Sequence, residues 1–492
     1  MAHTAVSETH SGIVFFVGDR AYKLKKPLDL GFLDFRDRAA RERICHREVE
    51  LNRRLAPDVY LGVADVVGVD GQLCEHLVVM RRLPEDRRLS SMIEAGEDVG
   101  SHLLDTARLI ADFHARAETR PDAEAVAGVE VLAGRWEDNH GAMAPAFGSL
   151  LDADLAAATL DLALRFLDGR RDLISGRIAA GRTVDGHGDL LADDIFCLDD
   201  GPRVLDCLEF DDDLRYGDVV GDVAFLAMDL ERLGRPDLAT VFLDEYQARS
   251  GAGWPASLLH HHVAYRAQVR AKVACIRAAQ GDAAAAGQAP ALLALAHRHV
   301  EAGRVRLILV GGLPGTGKST VAAGLAARLG APGLRSDEIR KELLGVDRSS
   351  RATASYGTGA YDAATTAATY DAMLGRAAAL LRGGESVVLD ATWMDAGLRQ
   401  RAGAVALDTV ADLTEIRCVL PPDVAADRMR ARLSDGQDPS DATPEIAATM
   451  AEADDGWRGD LVIDTSGPPE EVLRVAWDRL CGHPGAGRHR DA

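Results

Sequence analysis

Residues 306–320 read RLILVGGLPGTGKST. The short apolar run Leu307–Val310 reads as a buried strand, and VAAGLAARL, which follows at 321–329, as a helix. Between them, Gly312-Leu313-Pro314-Gly315-Thr316-Gly317-Lys318-Ser319 satisfies G-x-x-x-x-G-K-[ST] in the strand-to-helix context that the motif requires. Its glycines let the backbone curl until successive N–H groups point at phosphate oxygens, and the helix start adds positive dipole character. Lys318 is placed to reach β- and γ-phosphates and Ser319 to hold Mg²⁺, with Thr320 completing the nucleotide-binding set.

Working outward toward the C-terminus, SVVLDAT at 386–392 is a second strand, and the element order β, α, α, β, α indicates a parallel α/β sheet. Asp390 ends that strand, where a carboxylate holds the water shell of Mg²⁺. In SDEIRKEL, at 336–343, Asp337 and Arg340 lie one helical turn apart and can face one cleft. There the aspartate can accept a hydroxyl proton and the arginine can steady an anion. Arg428, Arg430 and Arg432 precede the polar stretch SDGQDPSDAT, as arginines of a closing lid do, with Arg432 the catalytic candidate. With LILVGGLPGTGKST, SDEIRKEL, VVLDATW and this lid, residues 304–466 resemble the small AAA-like P-loop kinases, which include polynucleotide, gluconate and zeta-toxin kinases. The resemblance implies ATP as donor and a hydroxyl on a small molecule or nucleotide end as acceptor.

The N-terminal part has a different pattern. IVFFVGDRAYKLK at 13–25 is a hairpin about Gly18-Asp19, residues 37–55 are helical, and strand-like segments surround Asp70-Gly71. Helical periodicity then dominates from 99 to 183, as in LLDTARLIADFHARA and LAAATLDLALRFL. His187-Gly188-Asp189 opens a loop that leads, five residues after Asp189, to Asp194 and the strand Ile195–Leu198, the layout of a kinase catalytic loop. Asp189 is the candidate that orients or deprotonates the acceptor hydroxyl, and Asp194 takes a metal position. Lys23 on a strand and Glu48 on the next helix stand in the order of a phosphate-positioning ion pair, with Lys25 the alternative lysine. A second strand is expected at Val204–Leu208, with Asp206 or Glu209 near its end as the other metal ligand and Glu209 slightly favoured.

These residues resemble the aminoglycoside phosphotransferase family over 8–280: HGDLLADDIF corresponds to its HGD-x-x-x-x-N loop, LEF to its acidic tripeptide, and Asp218 and Asp222 to later conserved acidic positions of that family. Asp194 replaces the usual asparagine, and no G-x-G-x-x-G loop is present. His187 and His114 read as packed histidines, and Asp211–Asp213 as a solvated loop. The whole arrangement resembles bacterial bifunctional aminoglycoside phosphotransferase/ATP-binding proteins. The expected architecture is an α+β kinase-like bilobal domain, with its N-lobe at 1–85 and helical C-lobe at 86–298, followed by an α/β P-loop domain at 299–492. The small-residue stretch GDAAAAGQAP at 281–290 is expected to be a linker or helix break.

Bulk properties narrow the function classes. At 492 residues the chain needs more than one core, and 47% hydrophobic with 27% charged residues is an ordinary globular balance. No run reaches the ~20 apolar residues of a membrane span, and MAHTAVSETH lacks the features of a signal peptide, so a cytoplasmic protein without a membrane partner is expected. The seven cysteines have no paired short spacing, so neither a disulfide framework nor a zinc site is indicated and buried free thiols are expected. A net charge of -21 argues against nucleic acid as a partner except for a nucleotide end, and nothing in the sequence sets an oligomeric state. The reading is an ATP- and Mg²⁺-dependent phosphotransferase acting on a hydroxyl of a sugar, amino sugar or nucleotide. The alternatives are a nucleotide-sensing regulator with a degenerate kinase-like half, or a zeta-toxin-like nucleotide-sugar kinase.

Overall fold

The computed structural model describes residues 5–8, 12–27, 35–346, 362–435, 444–452 and 456–482. The chain forms two compact units: residues 1–161, 174–254 and 258–300 belong to the first, and residues 162–173, 255–257 and 301–492 to the second.

The first unit opens with a five-stranded antiparallel sheet in the order Ala5–Glu8, Gly12–Val17, Arg20–Lys25, Leu73–Arg81, Tyr60–Val67. Gly18, at φ +61, turns the hairpin that pairs Val17 with Arg20. Along Arg20–Lys25 the pleat alternates, so Ala21, Lys23 and Lys25 share the buried face. The helix Arg38–Asn52 covers that face; Asp37 caps it by accepting from the Ala39 and Ala40 amides at 3.3 and 3.2 Å. Cys45 and Val49 pack with Ala21, Val78 and Met80, while Glu48 brings a carboxylate inside.

The rest of the unit is helical, with every residue from Val219 to Leu230 buried, as suits a central helix packed all round. One element departs from expectation. The strand after Ile195–Leu198 is Gly201–Val204, joined by the two-residue turn Asp199-Asp200, and not Val204–Leu208. The chain leaves the ladder because Asp206 adopts φ +60, a left-handed conformation that cannot continue a strand. At 281–290 the structure has the helix break and not the linker: Gly281 and Asp282 separate the helix Ala256–Ala279 from the helix Ala283–Ala302, which takes in the rest of the stretch with Pro290 inside it. Alanine is the strongest helix former, and Asp282 caps the start by accepting from the Ala285 amide at 3.0 Å.

The second unit is built on a parallel sheet in the order Gly333–Arg335, Val387–Asp390, Arg306–Gly311, Asp412–Val419, Leu461–Asp464. The central strand alternates between two cores. Leu307 and Leu309 join Met373, Leu389 and Trp393 on one side, while Ile308 and Val310 join Val321, Leu325, Ile416 and Ile463 on the other. A strand buried on both faces explains the unbroken apolar run. Among the described residues no helix is long and apolar enough to cross a membrane.

Leu309 is fully buried at the centre of that sheet. Leu309→Ala is expected to destabilise the second unit by about 3 kcal/mol, seen as an earlier urea transition by circular dichroism; an unchanged midpoint would contradict this packing.

Candidate functional site

In the first unit the buried lysines meet three carboxylates. Lys23 Nζ lies 2.9 Å from Glu48 Oε1 and 2.5 Å from Asp206 Oδ1. Lys25 Nζ lies 2.6 Å from Glu48 Oε2 and also pairs with Glu209. Burial works to lower the pKa of Lys23, but Asp206, Glu48 and Glu209 outweigh it and hold it well above the ordinary lysine value. For Glu48 burial pushes upward, and the two ammonium groups pull the carboxyl below its usual range. Both lysines therefore contact Glu48, and only Lys23 also reaches Asp206.

Asp206 and Glu209 separate sharply by exposure. The Asp206 side chain is 49% exposed, whereas that of Glu209 is 10% exposed and engaged by Lys25. Of the two candidate metal carboxylates Asp206 is therefore the more exposed: its left-handed backbone, whose amide donates to Tyr60 Oη at 3.2 Å, turns that side chain outward. Burial would raise the Asp206 carboxyl, but Lys23 lowers it to about 2. Burial, with Asp206 and Asp189 as negative neighbours, drives Asp194 well above the usual carboxylate value. For Asp189 burial is again the main cause, with Arg270 opposing it and Asp206 adding to it, and the carboxyl rises to about 6. Two raised carboxylates beside the ionised Asp206 make an acidic cluster of the kind that favours a cation. Among the described residues no three acidic, histidine or cysteine side chains converge at ligating distance. Mg²⁺ commonly takes one or two carboxylates plus phosphate oxygens and water.

The loop itself is held from beneath. Asp222 accepts from the His187 amide at 2.5 Å and the Gly188 amide at 2.9 Å, and its Oδ2 lies 3.2 Å from His114 Nε2. His114 in turn meets Tyr246 Oη at 2.8 Å. Burial pushes Asp222 up, but His114 and Arg266 more than reverse it, leaving the carboxyl far below its ordinary value. His187 Nε2 lies 3.0 Å from the Leu205 carbonyl, so both histidines position the loop. Asp229 supports its other end by accepting from the Ala192 amide at 3.0 Å.

In the second unit Gly312, Gly315 and Gly317 all have positive φ. Gly315, at φ +82, lies so close to the helix Pro422–Asp435 that a Cβ there would stand 2.7 Å from the Ala425 carbonyl oxygen, so both conformation and space require glycine. Leu313, Pro314 and Thr316 complete the turn, with Thr316 Oγ1 donating to the Leu313 carbonyl at 2.8 Å. Lys318, Ser319 and Thr320 begin the helix Lys318–Leu329. Thr465, invisible as a site residue in the sequence, donates to the Thr316 carbonyl at 2.6 Å, and Arg428 donates to the Thr465 carbonyl at 2.9 Å. Asp390 comes beside the loop because its strand pairs with the central one. Burial raises its carboxyl, with Lys318, Ser319 and Arg335 opposing; Oδ1 has no hydrogen-bond partner among the described residues. An orphaned buried oxygen beside a lysine and a serine fits a hydrated Mg²⁺. Asp337 and Arg340 meet at 2.9 Å. Arg430 pairs with Asp427 on the surface, and the side chain of Arg432 and residues 436–443 lie outside the described residues.

Residues 5–260 match the phosphotransferase enzyme family and residues 307–453 match an AAA domain. Uncharacterized proteins of Mycobacterium tuberculosis and Mycobacterium bovis are 44% identical over 472 residues, covering 96% of this chain and 94% of theirs. Among solved structures, a choline/ethanolamine kinase family protein from Mesorhizobium loti is 15% identical, covering 61% of this chain and 91% of that one at a TM-score of 0.37. A gluconokinase from Sinorhizobium meliloti is 20% identical, covering 36% of this chain and 94% of that one at a TM-score of 0.27.

Asp222 gives a test of how the loop is held. Its folded pKa lies below the ordinary ~3.9, so the ionised carboxylate stabilises the fold above that value and the contribution disappears as pH falls toward the folded pKa. Asp222→Asn is expected to cost about 3 kcal/mol near neutrality and to flatten the acid limb of stability, measured as urea midpoints against pH. An acid limb as steep as that of the unaltered chain would contradict this.

Proposed function

The chain belongs to the phosphotransferase enzyme family, with a P-loop kinase domain following, and we propose that it transfers the γ-phosphoryl group of ATP to a hydroxyl of a small molecule such as a sugar, amino sugar or nucleotide. The observation that carries this reading is the meeting of Lys23, Glu48 and Asp206 beside Asp189 and Asp194, residues drawn from a strand, a helix and two loops. Lys23, fixed between two carboxylates, presents its ammonium to the donor phosphates. Asp206 and Asp194 would hold Mg²⁺, which would neutralise charge on the phosphate oxygens. Asp189 takes the proton as the acceptor oxygen bonds to the γ-phosphorus and the bond to the β,γ-bridging oxygen breaks, releasing ADP.

The second unit has a parallel set. Backbone amides of 312–317 and Lys318 grip the triphosphate, Ser319 and Asp390 would hold Mg²⁺, and Asp337 serves as base with Arg340 beside it. Arg428, tied to the loop through Thr465, is the lid arginine the described geometry favours. One observation speaks for a regulatory first unit: Asp194 stands where the resembling family has asparagine, adding negative charge to the site.

The two sites separate by mutation of the full chain. Lys318→Ala and Asp189→Asn are each expected to remove one component of phosphoryl transfer from radiolabelled ATP by at least about 100-fold. Transfer indifferent to Lys318→Ala would remove the second site from the reaction, and ATP binding without any Asp189-dependent transfer would make the first unit a sensor. A base must be ionised to accept a proton, so the Asp189-dependent kcat/KM is expected to fall below an apparent pKa of about 6 and level off above it. An acid limb near the ordinary aspartate value would argue against Asp189 as that base.

A further inference from the structure

The helix Ala256–Ala279 lays one face along the catalytic loop. Arg266 donates from Nη1 to the Gly188 carbonyl at 3.1 Å and from Nε to the Gly221 carbonyl at 3.0 Å, with its guanidinium 4.6 Å from the centre of the Phe225 ring. Arg270 follows one turn later on the same face, half-buried, and Asp189 is the residue after Gly188. Unlike Arg266, Arg270 has no hydrogen bond or ion pair among the described residues. It is also the foremost charge pulling the Asp189 carboxyl back toward ionisation. A guanidinium carries a permanent charge and five donors, so holding it half-buried without a partner is unfavourable until a ligand supplies one.

Four acidic groups of this unit that could suit a cationic acceptor are already engaged. Asp211 caps a short helix by accepting from the Asp213 and Leu214 amides. Asp212 pairs with Arg215 at 2.7 Å and Arg47 at 3.4 Å, and Asp213 with Arg120 at 2.7 Å. Asp229 is held by Arg232 at 2.7 Å.

We propose that the acceptor at the first site carries an anionic group, a phosphate or a carboxylate, near the hydroxyl that Asp189 activates, and that Arg270 receives that group. The proposal rests on reading this unit as a phosphotransfer site. It sets the substrate class apart from polycationic amino sugars: Asp189 takes the hydroxyl proton, and Arg270 determines which molecules bring a hydroxyl there.

The test uses the full chain carrying Lys318→Ala, which silences the second site, with Mg²⁺ and radiolabelled ATP. Matched acceptors differ only in charge: glucose, glucose 6-phosphate, glucuronate and glucosamine, together with ribose against ribose 5-phosphate and glycerol against glycerol 3-phosphate. Asp189-dependent transfer is expected to favour the anionic members by about tenfold or more in kcat/KM, the size of one charge-assisted contact. Preference for the phosphorylated members or for glucuronate tells which anion is taken. Adding Arg270→Ala is expected to raise acceptor KM about tenfold with KM for ATP little changed, and Arg270→Lys to recover part of the loss. Asp189-dependent transfer that prefers neutral or cationic members, or acceptor KM indifferent to Arg270→Ala, overturns the anionic acceptor and leaves the transfer site standing. No Asp189-dependent transfer to any member overturns the transfer site itself, and the acceptor proposal with it.

Discussion

A carboxylate as deeply buried as Glu48 is tolerated only when cations meet it, and Lys23 at 2.9 Å and Lys25 at 2.6 Å each take one of its oxygens. Much of the first site follows from that constraint. Two lysines two residues apart on one strand necessarily share a face, and the helix above must place Glu48 between them. Glu48 alone leaves one cation in excess, and Asp206 and Glu209, from the loop after Gly201–Val204, more than answer it. The electrostatic demand of one buried helix residue thus ties the sheet, the helix and the catalytic half of the unit together. It also divides the labour between the lysines: Lys25, whose side chain is 1% exposed, satisfies the interior, and Lys23, at 9%, borders the cleft through Asp206.

What was legible in the sequence follows the distance along the chain over which each feature is encoded. The phosphate loop is contiguous, and its strand and helix flank it directly, so residues 306–329 could be read with their chemistry in one pass. The pair Lys23 and Glu48 was readable only as an order of residue types, and the structure supplied the reason that both lysines contact the glutamate. The different exposure of Asp206 and Glu209 was not encoded locally. It depends on a left-handed φ at a residue that is not glycine, which a strand-like composition around Leu205 conceals. At 281–290 composition left a linker and a helix break both open; the break falls at Gly281-Asp282, and alanine propensity with the Asp282 cap makes the rest helix. Thr465 and Arg270 left no sequence signal, because the loop residues they act on, Thr316 and Asp189, lie more than eighty residues away in the chain.

A chain of net charge -21 is an unexpected host for the triphosphate and the anionic acceptor proposed for it. The resolution lies in how charge acts over distance. Surface carboxylates farther than the ~8 Å screening length contribute little at physiological salt. A cation in contact with its ligand in a partly desolvated cleft acts at about 4 kcal/mol for an effective dielectric of 20. The relevant quantity is therefore the few cations aimed at each cleft, not the total. The surface pairs bear this out, since Arg430, Arg120 and Arg203 are all engaged with aspartates and project no free charge. In the second unit Lys318 remains at the start of its helix, where the dipole adds to its charge. In the first, Asp206 cancels part of Lys23, so donor phosphates arriving there must displace or share a carboxylate unless a divalent ion draws Asp206 away. Metal and nucleotide would then bind cooperatively at the first site, each relieving the charge imbalance the other creates.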